Sequence, residues 1–253
     1  MIAGVRTLDA HVRIGAGREV HLDVDELLAS MELTGIDAAL VAPAERYLAV
    51  AEAEGNALTC QAARRYPGRL FPYAVANPWR GREATELLRR AHGEGAVALA
   101  TDATLQGFDL HDGLLDPLLD LAAEFGWPVY VRTGTPPSGL PLPLALLARR
   151  HPHLTFVMGR SGATDFWIDA IPALVHAPNL LADTAYAPWD TVLTGFSEHP
   201  EVGAGRVVFS TDSPYTLPEA EIERVLDWPL PADRRALVLG ATMRRALGLG
   251  VEA

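Results

Sequence analysis

Lysine is absent from this 253-residue chain, and all 21 Lys/Arg positions are arginine. That excludes a lysine Schiff base, a carboxylated lysine bridging two metals and a lysine general base, whatever the origin of the bias. Cysteine occurs once, at Cys60, so no internal disulfide can form. No apolar run approaches the roughly 20 residues of a membrane span, and Met1–Gly4 leads straight into a first strand with no leader-like stretch. Positive charge is scarce too: the formal net charge of −11 argues against a nucleic-acid surface and against attraction to an anionic membrane. A soluble, cytoplasmic protein with a small-molecule partner is expected. No linker, charge run or low-complexity break divides the chain, and 49% hydrophobic residues can build one sizeable core. A single domain over residues 1–253 is expected.

Eight strand-like segments alternate with helical ones. They read as Val5–Val12, Ala38–Ala42, Leu70–Asn77, Ala96–Thr101, Pro128–Thr133, Leu154–Arg160, Asn179–Ala185 and Arg206–Ser210. Most are near-continuous apolar runs, as parallel strands covered by helices should be. Between them, Val24–Leu33 and Asp116–Phe125 repeat apolar residues three and four apart. Gly35, Gly93, Gly126 and Pro152 close helices before the next strand, and residues 218–247 hold two further helical patterns. This is the size and alternation of a (β/α)8 TIM barrel. A doubly wound open sheet is the alternative, but no Gly-x-Gly-x-x-Gly follows the first strand.

In a barrel the chemistry sits at the C-terminal strand ends. Those ends offer His11 and Arg13; Asn77; Thr101 and Asp102; Tyr130 and Arg132; Arg160; Thr184 and Tyr186; and Ser210, Asp212 and Tyr215. Asp9, His11 and Arg13 alternate along the first strand, so they are expected on one face.

At these residues the chain resembles the amidohydrolase-2 family, which includes aminocarboxymuconate-semialdehyde decarboxylase. LDAHVRIG is similar to the family's opening Asp-x-His-x-His, and MELTGIDAALVAP to its first helix and second strand. RRYPGRLFPYAVANP is similar to the region of strand 3, and LQGFDLHDGLLDPLLDLAAEFGWPVYVRTGTP to that of strands 4 and 5. RVVFSTDSPY and LGATMRRALGL resemble the family's strand 8 Gly-Ser-Asp-x-Pro motif and its closing helix. The resemblance implies a barrel enzyme that uses a divalent metal to hydrolyse or decarboxylate small carboxylates, often as a dimer.

Carried over residue by residue, the metal site fails. His11 and Asp212 match ligands, but Arg13 replaces the second histidine, Arg132 the strand 5 histidine and Arg160 the strand 6 histidine. Near strand 4, Ala98, Ala100 and Asp102 stand where some members place Glu, Lys or His. Two ligands do not complete a catalytic zinc site. A guanidinium about 5 Å from a dication repels it by about 6–7 kcal/mol at an effective dielectric near 20, and arginine cannot deprotonate to escape. No metal and no other cofactor is expected.

Fixed guanidinium charge in place of metal charge could hold an anionic substrate and stabilise an oxyanion or carbanion-like transition state. Asp212 and His11 are then the candidate acid–base pair, with Asp212 ionised and His11 neutral. Arg13, Arg132 and Arg160, with Tyr130, Tyr186 and Tyr215, are the candidate substrate-binding set. The plainer alternative is a buried ion network of Arg13 and Arg132 with Asp9, Asp212 or Asp102, and His11 as a packed core residue. His111 reads as an exposed loop histidine, and His151 and His153 as structural residues of the opposite face. Trp167 and Trp189 are open between pocket lining and helix packing. Two functions follow: a metal-independent lyase or hydrolase on a small organic acid, or a non-catalytic barrel that binds an anion or a partner protein. The βα loops are short, so the pocket is either open or closed by a second subunit, and a homodimer is expected from the resemblance.

Overall fold

The computed structural model describes residues 1–163, 165–186 and 190–250. Eight strands run in parallel, each paired with its successor: β1 (Leu8–Ala16), β2 (Ala38–Pro43), β3 (Leu70–Ala74), β4 (Ala98–Thr101), β5 (Val129–Arg132), β6 (Phe156–Gly159), β7 (Leu180–Asp183) and β8 (Val207–Val208). The sheet curls until its ends meet. Ala10 N–H donates to Phe209 O (2.8 Å) and Asp212 N–H to His11 O (3.1 Å), joining β1 to the segment after β8. The expected TIM barrel is the observed fold. A two-residue antiparallel strand, His21–Leu22, folds back on the end of β1.

The strands bury both faces, which is why their sequences are apolar throughout. Leu8, Ala10, Leu40, Tyr73, Tyr130 and Val157 fill the barrel interior. Val12, Ile14, Val41, Val129 and Phe156 belong to the outer layer between strands and helices. Helix Val24–Thr34 begins in a capping box of Asp23 with Glu26 and ends at Gly35, whose φ of 77° is the left-handed stop expected of it. Gly126 ends Asp116–Phe125 in the same way (φ 68°). Among the described residues no helix is long and apolar enough to cross a membrane.

Two expectations need correction. Most hydrogen-bonded ladders are shorter than the apolar runs; β8 spans two residues, because Phe209 and Ser210 are buried beyond it without strand pairing. Conversely, β1 starts later and runs further than Val5–Val12. It also slips register between Asp9 and Val12. Leu8 and Ala10 face the interior but Val12 and Ile14 face outward, so the parity of the strand inverts at this irregularity. Asp9 therefore does not share the face of His11 and Arg13. Its carboxylate turns to the closing seam, accepting from Thr211 N (3.0 Å), Thr211 Oγ1 (2.6 Å) and His11 N (3.1 Å).

Candidate functional site

The inversion in β1 brings His11 and Arg13 to the C-terminal mouth, where β6 delivers Arg160 and the chain after β8 delivers Asp212. Asp212 is completely buried (0% exposed) and His11 nearly so (1%). His11 Nδ1 lies 3.1 Å from Asp212 Oδ1. Arg160 places Nε at 2.7 Å and Nη2 at 2.5 Å from Asp212 Oδ2. One carboxylate thus holds an imidazole on one oxygen and a guanidinium on the other.

The other two arginines have carboxylates of their own. Arg13 Nη1 donates to Glu45 Oε1 (3.0 Å), and Arg132 Nη1 to Asp102 Oδ2 (3.2 Å). The Asp102 pairing is one the sequence offers; the Glu45 pairing replaces Asp9, Asp212 and Asp102 as the expected partners of Arg13. At the mouth, Arg13 Nε, Glu45 Oε2 and Arg132 Nε are buried with no hydrogen-bond partner among the described residues. Glu45 and Tyr215 line a cleft of about 240 Å³ with Arg18, Glu19 and Leu105.

Aromatic rings brace this cluster. Tyr130 stacks on His11 with centroids 3.9 Å apart and planes at 2°. Its hydroxyl meets Asp183 Oδ2 at 3.3 Å. Tyr130 is buried beneath His11, so it supports the imidazole instead of facing a ligand, which corrects its place in the expected binding set. Gly159 makes that position available, since a Cβ there would stand 2.3 Å from the Tyr130 ring. Tyr186 lies 4.1 Å from the Arg160 guanidinium, and Tyr215 lies 5.4 Å from Arg160 and 5.7 Å from Arg13, within cation–π reach. Both tyrosines stand at the mouth as expected.

Charge states follow from burial and neighbours. Burial works against an ionised Asp212, but the Arg160 charge, the His11 hydrogen bond and Arg13 outweigh it and hold the carboxyl below its ordinary range. Burial lowers His11 to about 4, with Asp212 opposing and Arg13 and Arg160 assisting. Asp212 is an anion and His11 a neutral ring at neutral pH, so Nδ1 carries the proton and donates to Asp212. Burial raises Asp9 to about 7 and Asp183 to about 8 despite their hydrogen bonds.

Backbone strain gathers at the same place. Arg160 (φ 61°), Ser161 (45°), Tyr186 (61°) and Asp212 (50°) are non-glycine residues in left-handed conformations, each costing about 1–3 kcal/mol. Their hydrogen bonds hold them there. Ser161 Oγ donates to Asp183 O (2.6 Å), and Arg160 N donates to Asp183 Oδ2 (3.1 Å).

Several sequence candidates serve the scaffold. Asn77 caps the turn after β3 and donates to Ala49 O (2.9 Å). Thr101 donates to Gln106 Oε1 (2.6 Å), while Gln106 Nε2 binds Leu48 O and Ala76 O and so ties three loops behind Asp102. Thr184 and Ser210 bond to each other across β7 and β8. His111 is exposed on its loop and His151 lies 3.4 Å from Asp116 on the far side, both as expected. Trp167 packs against the outer layer; Trp189 lies outside the described residues. Sequence reasoning missed Glu45 and Asp183. Glu45 stands three residues past the expected end of strand 2 in an Ala-Pro-Ala-Glu run, where the strand end itself carries no polar residue to draw attention to it. Asp183 ends an otherwise apolar strand, a signal as plain as that of Asp212.

Among the described residues, no third His, Cys, Asp or Glu joins His11 and Asp212 as a potential metal-ligand group. The one such group is His21, Asp23 and Glu26, which is exposed, and its two carboxylates close the capping box.

The fold has close structural relatives. 5-Carboxyvanillate decarboxylase from Sphingomonas paucimobilis superposes with a TM-score of 0.77 at 15% identity, covering 98% of this chain and 100% of the other. 5-Carboxyvanillate decarboxylase from Novosphingobium aromaticivorans, complexed with manganese and 4-hydroxy-3-methoxy-5-nitrobenzoic acid, gives 0.78 at 17% identity, with 97% of each chain covered. 2,6-Dihydroxybenzoate decarboxylase from Rhizobium gives 0.73 at 16% identity, covering 96% and 98%. At these identities the superpositions show a shared fold and nothing further. No curated protein sequence matches the chain. The amidohydrolase family model matches residues 9–249, nearly the whole barrel, and the chain belongs to the amidohydrolase family.

Proposed function

We propose that this chain is a metal-independent amidohydrolase-family enzyme. It would act on a small carboxylate-bearing substrate by lyase chemistry (decarboxylation, elimination or cyclisation) or by hydrolysis. The observation that carries the reading is the Arg160–Asp212–His11 contact: a guanidinium holds the carboxylate that a family metal would need. The donor set does not fit a divalent ion. His11 and Asp212 bond to each other, Arg160 takes the second Asp212 oxygen, and a third donor is missing among the described residues. Arg13 and Arg132 hold the substrate carboxylate through their unpaired Nε–H groups, and the guanidinium charges stabilise negative charge that develops in the transition state. With Nδ1–H committed to Asp212, His11 Nε2 is the proton acceptor, and Asp212 orients it. The fold neighbours, named for the decarboxylation of aromatic acids, support the substrate class.

Two variants test this. Arg132→Met is expected to weaken benzoate binding by about 1.5–3 kcal/mol in calorimetry. Its melting temperature should fall only modestly, because Arg132 is 24% exposed and Asp102, although buried, keeps the hydrogen bond from Leu105 N–H. A large stability loss with unchanged binding would mark a purely structural pair. Asp212→Asn turns its amide NH2 toward His11 and its carbonyl toward Arg160, forcing the proton onto Nε2. Turnover is expected to fall at least about 100-fold, with ligand affinity little changed; wild-type turnover would remove Asp212 and His11 from catalysis.

A second reading, a non-catalytic barrel binding an anion or a partner protein, is favoured by one observation: every mouth arginine already has a carboxylate partner. Turnover by no small carboxylate, with binding intact, would select it. The proposal includes a homodimer, which sedimentation would report as twice the chain mass of 27.2 kDa.

A further inference from the structure

The mouth has no surplus of positive charge. Arg13 faces Glu45, Arg132 faces Asp102 and Arg160 faces Asp212, so three guanidinium groups are matched by three carboxylates. Arg18, at the rim, is paired with Glu19. A simple carboxylate arriving here brings a negative charge beside Glu45 and Asp102 with no uncompensated cation to receive it. The unpaired atoms are of both kinds. Arg13 Nε and Arg132 Nε are donors without acceptors, whereas Glu45 Oε2 is an acceptor without a donor. Arg13 and Glu45 are in direct contact through Nη1 and Oε1 at 3.0 Å, so the donor vacancy at Nε and the acceptor vacancy at Oε2 belong to one ion pair.

We infer that the ligand is a zwitterion, an amino acid whose carboxylate binds Arg13 and whose ammonium binds Glu45. This rests on the reading of the mouth as a carboxylate site and narrows it. An α-amino acid adds no net charge, carries donor and acceptor on adjacent atoms, and matches a guanidinium–carboxylate pair whose partners touch. Bidentate guanidinium–carboxylate and ammonium–carboxylate contacts are both charge-assisted, the stronger class of hydrogen bond. The adjoining cleft of about 240 Å³, walled by Leu105 and Tyr215, suits an apolar or aromatic side chain. Gly17, in the turn closed by its N–H to Val20 O, covers Glu45: a Cβ on Gly17 would stand 2.7 Å from Oε2. Ligand entry displaces this turn, in which Arg18 and Glu19 are exposed.

The test is calorimetric titration of the intact protein with L-phenylalanine and L-leucine, each against its desamino acid (3-phenylpropanoate, 4-methylpentanoate). At least one amino acid should bind about tenfold or more tightly than its desamino partner. Glu45→Gln should abolish that preference, weakening the amino acid while the desamino acid, now facing an Arg13 without its Glu45 counter-charge, binds at least as tightly as to the parent protein. The wild-type comparison decides the matter even if this variant does not fold. If the desamino acids bind as tightly as the amino acids, the zwitterion inference fails and the carboxylate reading stands. If neither set binds, both fail.

Discussion

Asp212→Ala is expected to destabilise the protein by about 3–5 kcal/mol, the usual loss when one partner of a buried ion pair is removed. Asp212 accepts from Arg160 and His11 with no solvent contact. Its removal leaves a guanidinium that cannot deprotonate, in a site only 8% exposed. Arg160 has no other carboxylate at hand, since Asp183 takes its backbone N–H and Glu45 and Asp102 are engaged by Arg13 and Arg132. The left-handed backbone at Asp212 adds to the loss, because Asp tolerates that conformation better than Ala. Urea denaturation measures it. A loss under about 1 kcal/mol would mean that Arg160 is not held by Asp212, and the described mouth would be wrong.

Asp9→Asn should have an effect of similar size, but one that depends on pH. Burial raises Asp9 to about 7 in the folded protein from 3.8. A raised carboxyl contributes stability that is fully present below the unfolded value and is lost as pH rises through the folded one. A rise of this size corresponds to a loss on the order of 4 kcal/mol between about pH 4 and pH 8. Asn keeps the contacts: its carbonyl accepts from His11 N and Thr211 N, and its NH2 donates to Thr211 Oγ1. The variant should therefore gain on the parent by several kcal/mol over that interval. His11, lowered to about 4, works in the opposite sense, losing stability as pH falls below 6.5. Asp183 works in the same sense as Asp9. Both remain in the variant, so the difference between the two proteins reports chiefly on Asp9, with a smaller part from Asp183, which the Asp9 charge helps to raise. Chemical denaturation at the two pH values reads it, and a pH-independent difference would show that Asp9 titrates normally.

The barrel was legible because parallel strands buried on both faces leave long apolar runs, and because Gly35 and Gly126 mark where helices stop. The convergence of His11, Arg13, Arg160 and Asp212 was legible from strand ends alone. What escaped has local causes. The slip in β1 has no sequence signal: Ala10 is as apolar as any strand residue, and only tertiary closure onto Thr211 and Phe209 decides which way Asp9 turns. Tyr130 read as a pocket wall because its position on β5 is that of an inward residue. Nothing in the chain says that Gly159, one strand away, lets it slide under His11. The charge balance was hidden for a similar reason. Arginines counted along the chain look like an anion trap, and only the pairing with Glu45 reveals a neutral mouth.

If arginine stands in the place of metal, metal analysis of the purified protein should find almost none. Less than about a tenth of an equivalent of zinc, manganese, iron or cobalt per chain is expected, even after incubation with each ion, since two mutually bonded ligands beside guanidinium groups do not form a site. One equivalent of metal whose binding is abolished by His11→Ala or Asp212→Asn would contradict the replacement of metal by arginine.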